Sequence, residues 1–436
     1  VFDGSDYHAW HGLAPMAHFH RDSHPDLFLA EGKGSHVTDR AGRRYLDARS
    51  SMWNVTLGYS CEPVKAAIRR QLDELPFATI MRFEQPPAIM AQYAAALASM
   101  LPDSLGHIRF GNTGSQMTEA AAMLSRFYRR LTGEPGRTLV VTLESSYHGT
   151  GPLATALTGE PKLQEFSAPL DPDVRHVTAP PVAGDCDGSA ARAVLDLINE
   201  LGADRVTAVM LEPVMGTDTI TLPRDYLDRL IRECRALGVH VILDEVTTGA
   251  GRTGRMTVAE TLGEVPDMVV MAKGLSGGYF PLAALAVHDG IYHRLSGLDQ
   301  PIGFINGSTT DGHPLGMAAG LAVLDILRSD EFLAEVRETG AFLRSLLEET
   351  LADLPAVRAV RGEGMMLCVD LADENDEPWH VLAVNDLRVI CRDNGLLTSL
   401  GHGNLPLMPP LTISRAECCE LAETLSRSIR EYLRKR

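Results

Sequence analysis

From about Val64 onward, segments whose apolar residues recur at helical spacing alternate with short runs of aliphatic and β-branched residues. This pattern predicts an α/β fold, a mainly parallel sheet covered by helices. Strands are expected at residues 137–143, Val206–Leu211, 239–243 and Met268–Met271, and helices at 119–130 and 225–237. Each strand candidate runs into polar or glycine-rich residues. In open α/β sheets the ligand crevice lies at the carboxyl ends of the strands, so chemistry is to be sought just after those runs.

The first sixty residues have another texture. Five histidines (His8, His11, His18, His20 and His24) precede strand-like pieces within 35–46, predicting an arm and part of a smaller domain. After the helix-like Pro314–Leu327 come two amphipathic helices, the apolar run 365–371 and a closing helix from Arg415, which predict a C-terminal α+β domain. The expected division is 1–60 for the arm and part of the small domain, 61–325 for the large domain and 326–436 for the rest of the small one. The loosest stretch is 179–189, with two prolines and two glycines.

A length of 436 residues exceeds what one hydrophobic core organises, so a multidomain enzyme is the starting expectation. No run approaches the roughly 20 apolar residues of a membrane span. The first ten residues carry acids and a histidine where a signal peptide has basic and then apolar residues, and the protein reads as cytoplasmic. Seven scattered cysteines without a C-x-x-C spacing indicate reduced thiols rather than a disulfide framework or zinc ribbon. A net charge of −17 argues against nucleic acid or anionic membrane as partner. It suits a cationic small molecule, although an acidic surface also simply keeps an enzyme soluble.

Two strand ends carry candidate chemistry. Val239-His-Val-Ile-Leu-Asp-Glu places Asp244 at the end of an apolar strand, and Met268–Met271 leads into Ala272-Lys273-Gly274. Taken alone, Asp244 is better explained as a turn or cap residue. A lysine between an apolar strand and a glycine-rich turn is different, because burial lowers its pKa and frees the amine as a nucleophile. An acid and a lysine on neighbouring strand ends meet the needs of a pyridoxal cofactor: an imine to its aldehyde carbon and a carboxylate on its ring nitrogen. Gly111-Asn-Thr-Gly-Ser-Gln116 offers a place for the phosphate, since Thr113 and Gln116 have capping-box spacing at a helix start.

Two rival constellations are weaker. Gly249-Ala-Gly-Arg-Thr-Gly254 matches the dinucleotide fingerprint in form, but that motif needs a helix opening within its glycines and a ribose-binding acid at the next strand end. Here the next strand ends at Lys273. For a metal centre built on His8 and His11, no nearby carboxylate or cysteine completes a tidy ligand set, and surface histidines are the better reading.

With these residues in view, the sequence resembles the class III aminotransferases, the family of ornithine, 4-aminobutyrate, diaminopelargonate and omega-amine transaminases. The resemblance spans nearly the whole chain and rests on four ordered motifs: Leu211-Glu-Pro-Val-Met-Gly216, Leu243-Asp-Glu-Val-Thr-Thr-Gly-Ala-Gly-Arg-Thr-Gly254, Pro266-Asp-Met-Val-Val-Met-Ala-Lys-Gly274 and Gly307-Ser-Thr-Thr-Asp-Gly-His-Pro-Leu315. It implies the fold type I architecture of pyridoxal-phosphate enzymes, with a large domain, a smaller α+β domain drawn from both termini, and a homodimer with shared active sites. It also implies a two-stage transamination through pyridoxamine phosphate.

By the same resemblance Lys273 is the Schiff-base lysine and general acid/base, and Asp244 is the partner of the ring nitrogen. Val246 and Tyr147 pack on the two ring faces, Gly114 and Ser115 form the phosphate loop, and Glu212 lies near the ring hydroxyl. Thr309 reaches the phosphate of the other subunit. Trp53 resembles the aromatic that lines the substrate pocket, and His148 receives no role beyond packing or hydrogen bonding.

One departure bears on substrate. Where relatives often carry an arginine for a substrate carboxylate, Gly395-Leu-Leu-Thr-Ser-Leu-Gly-His-Gly-Asn404 has none. With the acidic net charge this points to a cationic acceptor, an oxidised aminosugar of the aminoglycoside antibiotic type or a polyamine aldehyde, with glutamate or a similar amino acid as donor. Arg82 or Arg49 approaching the pocket would instead favour an ornithine- or aminobutyrate-type substrate. A mutase or epimerase on the same scaffold, or a binding protein that has lost catalysis, are the other readings.

Overall fold

The computed structural model describes residues 7–82, 84–178, 189–299 and 303–435; of the loose stretch 179–189, all but Ser189 lies outside them. At its centre is a seven-stranded sheet. In chain order its strands are β1 (His107–Gly111), β2 (Leu139–Leu143), β3 (Val174–Val177), β4 (Val206–Leu211), β5 (His240–Asp244), β6 (Met268–Met271) and β7 (Ala283–Val287). In space they run β1-β7-β6-β5-β4-β2-β3. Only β7 is antiparallel to its neighbours β6 and β1.

The inner strands are mainly apolar because helices cover both faces, and every residue of β2, β4, β5, β6 and β7 is buried, Thr142, Thr207, His240 and Asp244 among them. Period-two alternation divides them between two cores. Val241, Leu243, Val269 and Met271 join the larger cluster, which continues into the C-terminal elements. Ile242, Met268 and Val270 face the helix Gly114–Leu131 through Met117, Ala120 and Ala121.

The fold class expected from the pattern is the one observed. The four expected strands appear as β2, β4, β5 and β6 with ends shifted by at most two residues, and the two helices as Gly114–Leu131 and Arg224–Ala236. β1, β3 and β7 were not anticipated, for identifiable reasons. β1 and β3 are edge strands whose Arg109, His107, Arg175 and His176 break the apolar run. β7 is alanine-rich, and alanine carries little strand propensity.

A four-stranded sheet joins Leu29–Lys33, His36–Asp39 and Arg44–Asp47 to Leu396–Leu397, so the two ends of the chain meet in one element. A three-stranded sheet (Val357–Glu363, Met366–Leu371, Asn404–Leu407) lies near the helices Asp330–Leu351, Val381–Asp393 and Arg415–Lys435. Between the N-terminal helix Glu62–Glu74 and the rest, Pro314–Leu327 provides the main packing surface. No described helix is long and apolar enough to cross a membrane.

Candidate active site

Sheet register brings the chemistry together. Leu243 pairs with Leu211 and Asp244 with Val270, so Glu212, Asp244 and Lys273 emerge from adjacent strands at one edge. β7 starts beside Gly111, which brings the Asn112–Ser115 turn to the same edge. These residues line a cavity of about 450 Å³ together with Tyr147, His148, Val246, Thr247 and parts of 272–282. That size suits a small ligand.

Asp244 is buried, and each of its oxygens has one partner. His148 Nδ1–H donates to Oδ2 at 2.7 Å and the Val246 amide donates to Oδ1 at 3.0 Å. His148 Nε2 lies 3.0 Å from Thr142 Oγ1, so the imidazole is fixed from both sides. A carboxylate offers about four acceptor positions, which leaves Asp244 capacity for a ligand N–H. Glu212 accepts from the amides of Tyr147 and Gly216, each at 2.9 Å. Burial pushes its carboxyl up to about 7, with Asp244 adding to the rise while His148 opposes it.

Lys273 sits at the turn after β6 with φ +42°, in the left-handed region that residues other than glycine rarely occupy. Its Nζ donates to Thr247 Oγ1 at 2.6 Å and lies 4.4 Å from the centroid of the Trp53 ring. Burial brings the amine down to about 8, against the opposing pull of Glu212 and Asp244. A fraction of it is therefore neutral near pH 7 and able to attack a carbonyl carbon.

Thr113 caps the helix Gly114–Leu131 by accepting from the Gln116 amide at 3.1 Å. The reciprocal half of the expected capping box is not made. Gln116 Oε1 accepts from the Asn112 amide at 2.9 Å, and its Nε2 donates to Asp311 at 2.8 Å. Gly114 and Ser115 open the first turn, whose N–H groups have no partner within the helix. Space is tight there: a Cβ on Gly114 would come within 3.0 Å of Val246, and one on Gly149 (φ +121°) within 2.3 Å of Ser115 Oγ. A cradle of this kind, with a helix dipole behind it, fits a phosphate. The lysine, the spare acceptor capacity of Asp244 and the anion cradle together fit pyridoxal phosphate.

Asp311 also accepts from Asn112 and Ser308, fastening the 307–315 segment to the cradle. Thr309, on that segment, is exposed and does not line its own chain's cavity. Neither Arg49 nor Arg82 lines it either: Arg49 Nε is 3.9 Å from Asp47, and Arg82 is exposed. The 249–254 glycines form successive turns rather than a helix start, and Arg252 is buried against the carbonyls of Met365 and Pro409. His11, one of the two histidines considered for a metal, pairs with Tyr7.

Trp53 is anchored from the far end of the chain, its Nε1 donating to Ser399 Oγ at 3.0 Å. The same loop carries His402, which lies 3.5 Å from Asp218 and 3.7 Å from Glu160 and is raised in pKa, chiefly by its bond to Asp218. Sequence reasoning missed the partners of His148, the hydroxyl of Thr247 and this His402 cluster. Thr247 adjoins Val246 in a recognised motif. For the other two, only proximity in space reveals the partner.

The family profile for aminotransferase class-III matches residues 18–429. An omega-aminotransferase of Caulobacter vibrioides is 30% identical over 438 residues, covering 98% of each chain. A putrescine–pyruvate aminotransferase of Pseudomonas aeruginosa is 30% identical, covering 92% of this chain and 89% of its own. Among solved structures, a pyridoxal-phosphate-bound amine transaminase from an uncultivated Pseudomonas species superposes with a TM-score of 0.92 at 30% identity, covering 98% of this chain and 99% of that one.

Proposed function

The chain belongs to the class III aminotransferases, enzymes that use pyridoxal phosphate, and from that premise we propose that it moves an amino group between an amino acid and a cationic, amine-bearing carbonyl compound. Lys273 and Asp244 are its catalytic residues in this reading. When bound, the cofactor supplies a ring that takes up the electron pair left on the substrate carbon. Asp244, oriented by His148, holds the proton on the ring nitrogen. Lys273 Nζ would hold the cofactor's aldehyde carbon and, when free, would move a proton off the substrate carbon. Tyr147 and Val246 would bound the ring, Glu212 would lie toward its hydroxyl, and Gly114 and Ser115 would hold the phosphate.

The same reading has two copies sharing each site. Thr309, next to the Ser308 that Asp311 holds and itself exposed, reaches the phosphate of a second copy. Mixing Lys273→Ala with Thr309→Ala chains should then restore some activity, and no recovery after demonstrated exchange would count against sharing. The division into an N-terminal arm with part of a small domain (1–60), a large domain (61–325) and the remaining small domain (326–436) belongs to this reading as well.

The substrate class rests on one observation. The loop that holds Trp53 has His402 as its only titratable side chain, and that group is already flanked by Asp218 and Glu160. The loop itself brings no Lys or Arg for a second carboxylate, and Asp218 and Glu160 beside it set acid where an ammonium could be received, with Lys162 the cation that opposes them. Putrescine in the name of the Pseudomonas aeruginosa relative is in keeping with such chemistry. An acceptor panel run on the pyridoxamine form, following return of visible absorbance, is the test. Amine-bearing aldehydes should react fastest. Fast reaction confined to keto acids and semialdehydes bearing carboxylates would return the enzyme to the ornithine or aminobutyrate type. Release of one keto product per amine consumed separates the transaminase from a mutase or epimerase.

A further inference from the structure

Two contacts from remote parts of the chain meet at one amine. Thr247, in the turn after β5, accepts from Lys273 Nζ at 2.6 Å, while Trp53 covers the amine with its ring at 4.4 Å. Gly216 marks the junction: a Cβ there would lie 3.3 Å from Thr247 Oγ1, 3.2 Å from Glu212 Oε2 and 3.3 Å from the Trp53 ring. Backbone and indole leave the hydroxyl little space, and Thr247 is itself buried. A lysine stem has many rotamers, and a base must be held close to its proton to be effective.

We infer that Thr247 is a positioning residue for Lys273, parking the free amine against the cavity wall beneath Trp53 during the half of the cycle in which the lysine is not bonded to the cofactor. One N–H points to Thr247 Oγ1, and the nitrogen lone pair is turned into the cavity. In the proton-transfer step the substrate C–H bond breaks, the proton goes to that lone pair, and the electron pair remains with the cofactor-bound substrate. Thr247 exchanges no proton. The inference rests on the assignment of Lys273 proposed above.

Valine has the shape of threonine without the acceptor, so Thr247→Val is the informative change. In the pyridoxamine form the amine is free, and its acylation by acetic anhydride can be followed at the Lys273 peptide across neutral to alkaline pH. Thr247→Val should move the midpoint of that profile to lower pH, because the ammonium loses an acceptor. It should also lower kcat about tenfold with little change in KM, and enlarge the rate effect of deuterium on the transferred hydrogen. Thr247→Ala, which also removes the acceptor, should move the midpoint in the same direction, and Thr247→Ser should restore the wild-type profile. Wild-type acylation and deuterium effects in both the valine and alanine variants would overturn the inference. A Lys273→Ala enzyme that still develops the visible cofactor band would instead overturn the assignment beneath it.

Discussion

The site has two walls, one that lines the cavity and one outside that lining, joined to it where Trp53 covers Lys273, and they are made in different ways. On one, Glu212, Asp244 and Lys273 stand at the ends of β4, β5 and β6, where backbone hydrogen bonds between buried strands set their spacing. On the other, Trp53, the turn at 216–218 and the loop at 399–402 come from three distant segments and are joined by side chains, Trp53 to Ser399 at 3.0 Å and His402 to Asp218 at 3.5 Å. A group fixed by register can move only if the sheet moves. A wall tied by side chains can be re-tied. The first arrangement suits chemistry that must not vary, and the second suits a pocket that differs between relatives.

Lys273→Ala on the first wall should have the largest effect, on the order of a thousandfold or more in kcat, with loss of the visible cofactor band. For the wild-type apoenzyme, capture of added pyridoxal phosphate should accelerate as pH rises through about 8 and then level off, because the amine attacks only when neutral and burial has lowered it from its ordinary 10.5. A midpoint near the ordinary value would mean that the amine is solvated.

Asp244→Asn comes next. It should bind cofactor but lose about a hundredfold in turnover, since a neutral amide does not hold the ring proton. His148→Phe, which keeps that carboxylate but removes its imidazole partner together with the contact to Thr142, should cost about tenfold. Equal losses in the two variants would mean that the histidine does more than orient the acid.

The smallest effect belongs to the second wall. Asp218→Asn leaves the sheet untouched and should shift preference away from cationic acceptors by only about threefold, the scale of a partly exposed ion pair. Relative kcat/KM for a cationic and a neutral aldehyde reads this directly. A shift as large as that of Asp244→Asn would erase the distinction between the walls.

The same contrast governs what could be read from the residues alone. β5 and β6 announce themselves as largely apolar runs because both faces are buried, and a charged residue at or just after each end then stands out. The helix start at Thr113 was legible from spacing, but the destination of the Gln116 side chain was not, since its partner Asp311 lies 195 residues away. His148 follows Tyr147 in a recognised motif, yet its function depends on Asp244, 96 residues later. The missing arginine in 395–404 was visible as an absence. The fact that Ser399 anchors Trp53, and that His402 is flanked by two acids, belongs to loop packing, which carries no periodic signal.

The reversed direction of β7 has a consequence for how this site could be rebuilt. A parallel β7 would need a crossover of a dozen or more residues, usually a helix, carrying the chain back across a face of the sheet. An antiparallel one starts at the crevice edge where β6 ended, so the whole connection from Ala272 to Leu282 stays there, and Ser276, Tyr279 and Phe280 border the same space as the lysine. The proposed nucleophile and one part of its enclosure are thus one continuous peptide of eleven residues, closed at both ends by paired strands. Such a segment is a natural cassette: exchanged as a unit between relatives, it would carry the lysine and its surroundings together without asking any strand to change partner.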